Sequence, residues 1–436
     1  MLNTTVPTKL AHPPRPESSS HPEVSGQAAR AFARDTVTDP VATVSIATDL
    51  DTAILNTWRE LEQCGASTPY QSLAWYQTWA RTVGGLVCET PFIITAHDEY
   101  GRATLLLPLV LRSRASIRIA SFAGGKHSNF NSPLLRADVA FTADAVERLA
   151  AAVTRLRPSV DLFALDALPA TWDGIVNPLV GRRSHPHTAA ASVLDLDPDP
   201  ERLFSTHLSA DRRRKTRASD RRLAKVGVAM HHVTSHLDID RALRAFDDHK
   251  ASWFVSRGLR NPFNDPGTTA FFAELAQQPD SGAEIHSLLG DDGAIVAVAA
   301  TITRQRRASL MFVSHDAASP LAAYSPGTKL IREIIADACR RGLKTFDFGL
   351  GEASYKVSLG ARSEPSYVTF LPLTARGRLA AVLLDARRRA KVALKRHPRL
   401  LAALLRVRRS LPALDPQKPA DAPAISPGQA QDKLMQ

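Results

Sequence analysis

The sequence predicts an α/β (α+β) protein of two tandem units, each a mixed, mostly antiparallel sheet flanked by helices, with disordered N- and C-terminal segments. Three observations predict it. One coarse pattern, helix then antiparallel strands then helix then strand, runs through the chain twice. The stretch "LLGDDGAIVA" sets Asp-Asp-Gly between two apolar runs, which is a hairpin signal. The amphipathic stretch "YSPGTKLIREIIADACRRG" separates two strands, so the strands it joins should lie parallel in an otherwise antiparallel sheet. With 436 residues, 44% of them hydrophobic, the chain can bury sizeable cores.

Residues 1–41 hold Pro/Ser/His-rich text such as "AHPPRPESSSHPE" without apolar periodicity, and residues 412–436 repeat that character; both are expected to be disordered. The first unit, residues 42–200, offers a helix around Leu73 to Val83 and the strands "PFIITA", "TLLLPLVL" and "IRIASF". The helix "FTADAVERLAAAVTRL" and the strand "VDLFALDAL" complete it. The second unit, residues 201–375, opens on "SADRRRKTRASDRRLAK", a basic helix that Ser209 can cap. Helices around Asp240 to Ser256 and Gly267 to Gln277 follow, then the strands "AEIHSLL", "AIVAVAATIT" and "ASLMFVSH". In the next helix Leu330, Ile331, Ile334, Ile335 and Ala338 share one face, and Gly342 supplies a left-handed stop before the strand "KTFDFG". Residues 376–411 read as a basic tail of two short amphipathic helices broken at His397-Pro398.

Composition limits the function classes. Cys64, Cys88 and Cys339 are far apart and form no C-x-x-C or Cys/His ligand spacing, so neither disulfides nor a metal site is expected. A cytoplasmic setting fits, since "MLNTTVPTKL" has no export pattern and no apolar run is long enough to span a bilayer. The net charge of +12 is uneven: residues 376–409 hold twelve Lys/Arg against Asp385 alone. That asymmetry allows peripheral contact with an anionic membrane at its inner face, or a tail that merely packs on the second unit. Nucleic acid is not an expected partner, because the basic stretch at 209–225 lacks interleaved aromatics and no nucleic-acid-binding motif accompanies it.

Residues 345–356, "TFDFGLGEASYK", carry two short motif matches. Asp347-Phe348-Gly349 imitates the magnesium-binding triplet of kinases, but no Gly-rich loop or H-R-D loop lies upstream. Gly349-Leu350-Gly351 imitates a dinucleotide fingerprint, but Ser354 stands where the third glycine belongs. "FAGGKHS" likewise fails as a phosphate loop, with Ala in place of its first glycine. A strand end with polar residues gathered beside a pocket remains. Ser325-Pro326-Gly327-Thr328 lies between a strand and a helix, where free N–H groups at the helix start would face an anion such as a pyrophosphate. The alternative is an ordinary N-cap at Ser325 or Thr328 with no ligand.

"YSPGTKLI", followed by "FDFGLGEASYK" and preceded by "DDHKASWFVSRG", resembles the GNAT-fold acyltransferases of the cellulose-biosynthesis, CelD-like family. "PYQSLAWYQTWARTVGG", "LLLPLVL" and "FAGGKHSNFNSPLL" resemble that family's amino-terminal half, so the resemblance runs over roughly residues 42–375. It implies tandem GNAT-like units and an acyl-CoA donor, acetyl-CoA first, for an N-acyltransferase acting on an amino group of a sugar, a polysaccharide precursor or a small molecule. "YSPGTK" replaces the R/Q-x-x-G-x-G/A loop of simpler GNAT enzymes. Related Fem-type transferases share the doubled fold and use aminoacyl-tRNA, which is one alternative; a non-catalytic accessory protein of an envelope polysaccharide machine is another.

Acyl transfer to an amine needs a base for the ammonium proton and a donor to the leaving thiolate. The candidate catalytic residues are His249, Asp347, Glu352, Tyr355 and Lys356. His249 is the base, or a helix-surface or core histidine; Asp347 and Glu352 orient the amine or relay its proton, or either caps the short helix of "EASYKVSL". Tyr355 protonates the thiolate or is a core ring, and Lys356 holds a phosphate or an acidic acceptor. Val313, Ser325, Pro326, Gly327, Thr328 and Lys329 are the candidate cofactor-binding residues.

Overall fold

The computed structural model describes residues 39–351 and 353–396. Its first half carries β1 (Thr43–Ala47), α1 (Thr52–Cys64), β2 (Gly65–Ala66), α2 (Leu73–Trp79), β3 (Thr90–His97) and β4 (Ala103–Arg114). Next come β5 (Ile117–Phe122), β6 (Leu134–Arg136), α3 (Ala143–Arg155), β7 (Leu162–Pro169), β8 (Thr171–Trp172), β9 (Ile175–Val176) and β10 (Ser184–Pro186). The second half opens with β11 (Ala191–Asp195), α4 (Pro200–His207), α5 (Ala210–Ala224), β12 (Ala229–Val233), α6 (His236–Arg257) and α7 (Thr268–Gln277). β13 (Ala283–Leu289), β14 (Ile295–Arg304), β15 (Arg307–His315), α8 (Pro326–Arg340) and β16 (Thr345–Leu350) form its centre. α9 (Ser354–Ser358), β17 (Arg362–Glu364), β18 (Ser366–Pro372) and α10 (Ala375–Arg396) complete the described chain.

Two mixed sheets result. The first runs β1-β3-β4-β5-β7-β18-β10, with β2 and β6 beside it, and the second runs β12-β13-β14-β15-β16-β11-β17. The expected hairpin joins β13 to β14 through a turn in which Gly293 has φ +74°. β15 and β16 are parallel, as the crossover through α8 requires. The chain changes sheets twice: β11 passes into the second sheet between β16 and β17, and β18 returns to the first between β7 and β10. Sheet membership therefore does not follow the sequence boundaries at 200 and 375.

Packing explains the positions of the helices. α8 buries Leu330, Ile331, Ile334, Ile335 and Ala338 in a core with Leu310 and Phe346, and Gly342 (φ +74°) ends it as expected. The two halves share another core, in which Phe271 of α7 packs edge-on against Trp75 at 4.8 Å and Trp79 at 5.2 Å. The chain's start differs from expectation at residues 39–41. Val41 is buried, Asp39 pairs with Arg148 at 2.6 Å, and Thr104 donates to the Pro40 carbonyl at 2.6 Å, so this short stretch is packed. The other expected disordered positions, Glu352, and tail residues 397–411 lie outside the described residues. "TFDFG" belongs to strand β16, with Asp347 and Phe348 buried, and "GKH" of "FAGGKHS" is a single 3₁₀ turn.

Candidate active site

The site begins where two parallel strands separate. β15 and β16 pair only from Arg307↔Thr345 to Ser309↔Asp347. Beyond that point β16 is held on its far side by β11 and β15 by β14, with a bulge in β15 between Leu310 and Phe312. The gap is closed at its base by Asn129 of the first half, which donates to the Leu310 carbonyl at 3.1 Å and to the Tyr70 hydroxyl at 3.0 Å. Gly349 (φ +73°) makes room for it: a Cβ there would lie 2.8 Å from the Asn129 amide nitrogen.

α8 starts beside the far end of β15. Ser325 occupies the cap position in a left-handed conformation (φ 52°, ψ 55°), and no side chain caps the helix. The Ser325 carbonyl accepts from the Thr328 and Lys329 amides at 3.0 and 3.1 Å. Among the described residues the Gly327 N–H has no acceptor. An uncapped helix start presents a free donor and the positive end of the helix dipole.

Two cavities meet there. One, of about 390 Å³, is lined by His249, Lys250 and Trp253 of α6, Val313, Ser314 and His315 of β15, and Gly327, Thr328 and Tyr355 among others. The other, of about 540 Å³, lies between α5 and α8 and is lined by Arg212, Lys215, Tyr324 and Arg332 with Asp211 as its acid. Ser325, Thr328 and Tyr355 belong to both walls.

His249 Nδ1 lies 3.2 Å from the Ser314 hydroxyl. Burial holds its pKa below the usual histidine value, against the opposing pull of Asp316, so the ring is neutral near pH 7. With Nδ1–H donating to Ser314, Nε2 carries the lone pair. Lys250 sits with its ammonium 5.8 to 5.9 Å from the rings of Phe246, Trp253 and Phe263, and burial lowers its pKa to about 8. Burial also lowers His315, with Lys250 adding to the shift. Tyr355, whose ring packs against Phe348, has its pKa raised to about 12 by burial.

The remaining candidates are placed elsewhere. Asp347 is fully buried below the gap, takes a hydrogen bond from Ser309 at 3.1 Å, and lies 3.4 Å from Arg307, which stacks on Trp172. Burial raises its pKa to about 7, and it lines neither cavity. Lys356 is buried and donates to the Gly349, Leu350 and Gly351 carbonyls at 3.3, 3.5 and 2.8 Å, tying off the end of β16. Lys329 pairs with Glu333 one turn along α8 and lines neither cavity. The structure thus brings together His249, Val313, Ser325, Gly327, Thr328 and Tyr355. It adds Lys250, His315 and Trp253, which sequence reasoning missed; aromatic residues four before and three after Lys250 were the available signal.

Residues 210–357, from the start of α5 into α9, match the family described as "Acetyltransferase (GNAT) domain". This stretch has the GNAT fold. Structural similarity extends beyond that stretch: a crystal structure of FemX matches 75% of this chain and 97% of its own at 9% identity, with a TM-score of 0.53. The C-terminal domain of a putative lysylphosphatidylglycerol synthetase from Agrobacterium fabrum matches over 76% and 96% at 14% identity, with a TM-score of 0.46. A tandem GNAT protein from the clavulanic acid biosynthesis pathway matches over 76% and 99% at 12% identity, with a TM-score of 0.43. No curated protein matches the chain. Within the GNAT domain, among the described residues, no group of His, Cys, Asp and Glu is placed to hold a metal ion.

Proposed function

We propose that the chain is an acyl-CoA-dependent N-acyltransferase, with acetyl-CoA as donor and an amino group of a sugar, polysaccharide precursor or small molecule as acceptor. The uncapped start of α8 at the junction of the two cavities carries this reading. A pyrophosphate suits the Gly327 N–H, and Arg212 and Lys215 on the α5 wall suit the nucleotide phosphates, whereas Arg332 is engaged by Asp220. The smaller cavity then takes the thioester and the amine.

In that cavity the amine nitrogen attacks the thioester carbonyl carbon, its proton passes to His249 Nε2, and the C–S bond breaks. The Tyr355 hydroxyl donates a proton to the departing thiolate. Both groups enter in the correct state: a neutral imidazole as base and a protonated phenol as acid.

The test is thiol release from acetyl-CoA over a panel of sugar and small-molecule amines. With an accepted amine, His249→Ala should lower kcat/KM by about 10²-fold. In the unaltered protein the rate should fall as pH drops below the depressed His249 pKa, because protonation removes the base, and His249→Ala should lose that acidic limb. Full turnover in the variant would exclude His249 as the base.

A further inference from the structure

α10 leaves β18 and lies on the first sheet by one face only. Gly377 and Ala380 are buried, and a Cβ on Gly377 would sit 1.8 Å from the Asp161 carbonyl oxygen, so the helix backbone rests directly on the sheet. At 3.6 residues per turn, Leu379, Val382, Leu383 and Ala386 share the opposite face. Leu379 is 61% exposed, Val382 67% and Leu383 61%. Arg376 and Arg387 border this apolar stripe on one side, Arg378 and Arg389 on the other. α10 as a whole carries eight Lys/Arg against Asp385, which Arg388 and Arg389 already neutralise at 2.8 and 2.7 Å.

A groove of about 980 Å³ runs beside the stripe and shares Val382 with it. Arg183, His185, Arg378 and Arg389 line its polar side together with Asp385, which Arg389 pairs, and Phe370 and Leu373 line its apolar side. Among the described residues Arg183 and Arg378 make no ion pair.

We propose that this face of α10, with its basic groove, docks on an anionic lipid bilayer. The stripe and its borders need a partner that is both apolar and negatively charged. A nucleic acid would pair with the arginines and leave Leu379, Val382 and Leu383 in water. An anionic bilayer takes both, with the helix lying in the interface plane, leucines toward the acyl chains and arginines at the headgroups. The groove is the place for a headgroup phosphate. No helix among the described residues is long and apolar enough to cross a membrane, so contact by this face would be peripheral.

Co-sedimentation of the full chain with vesicles tests this independently of the acyltransferase reading. The chain should pellet with vesicles of phosphatidylglycerol and phosphatidylcholine in equal parts, stay in solution with phosphatidylcholine alone, and be released by roughly 0.5 M salt. Leu379→Glu with Leu383→Glu alters only exposed side chains and should lower the bound fraction about tenfold with an unchanged circular dichroism spectrum. Failure to pellet with anionic vesicles, equal pelleting with neutral ones, or RNA-duplex binding without vesicle binding would overturn the proposal. So would wild-type binding by the doubly substituted chain, which would assign the membrane contact to another segment.

Discussion

Gly327 stands under His315. A Cβ at Gly327 would meet His315 Nδ1 at 3.3 Å, so a side chain there presses on the histidine that lines the smaller cavity. Gly327→Val is therefore expected to weaken acetyl-CoA binding at least about tenfold by displacing His315 and crowding the free N–H. The fold should survive, because the displaced ring borders a cavity. An unchanged dissociation constant in a folded variant would show that the Gly327 amide does not meet the donor. The helix start was legible, since Pro326 suits the first helical position, but the left-handed Ser325 before it was not. Asp347 and Lys356 are sequence candidates because both are polar and fall within one strand-end segment, residues 345–356. The partners of Asp347, Ser309 and Arg307, lie on another strand and leave no local trace, whereas those of Lys356 are the carbonyls of its own segment that end β16.

At the scale of elements, α5 and α8 form the walls of the larger cavity and are clamped together. Arg332 of α8 holds Asp220 of α5 through two bonds of 3.1 and 2.6 Å, and Ser219 donates to the Tyr324 carbonyl at 2.6 Å. The pair is only partly buried, so Asp220→Ala should cost about 1 kcal/mol in urea denaturation rather than the several expected of a deep pair. Its sharper effect is local: amide exchange in α5 should speed up while exchange in α8, anchored by its buried isoleucines, stays slow. Exchange unchanged in α5 would mean that Ser219 and Leu223 hold the helix without the ion pair. α8 was legible from its own period and end signals. β11 and β18 were not: five and seven residues of strand text do not say which sheet will take them, because that choice is made by partners more than a hundred residues away.

For the whole molecule, those two strands make the halves interdependent. Removing residues up to 200 would strip β11 from between β16 and β17, exposing the edge of the strand that forms one side of the active-site gap. A fragment of residues 201–375 should therefore be insoluble or unfolded, whereas the full chain should unfold in urea in one transition seen equally by tryptophan fluorescence and circular dichroism. A soluble, folded fragment would show that the exchanged strands are dispensable. The shared core of Trp75, Trp79 and Phe271 points the same way. The doubled pattern was readable from the sequence, but its coupling was not, since periodicity records faces and says nothing of which sheet completes them.

The central claim is that the start of α8 and the basic wall of α5 hold an acyl-CoA. Isothermal titration of acetyl-CoA into the full chain, alongside the same chain carrying Arg212→Glu and Lys215→Glu, tests it most directly. Both side chains are exposed on α5 and line the larger cavity, so reversing them changes its charge without touching the core. The account predicts one-to-one binding by the unaltered chain and at least about a tenfold loss of affinity in the variant, with the loss shrinking as salt rises. No heat from the unaltered chain, or equal affinity in the two proteins, would contradict it.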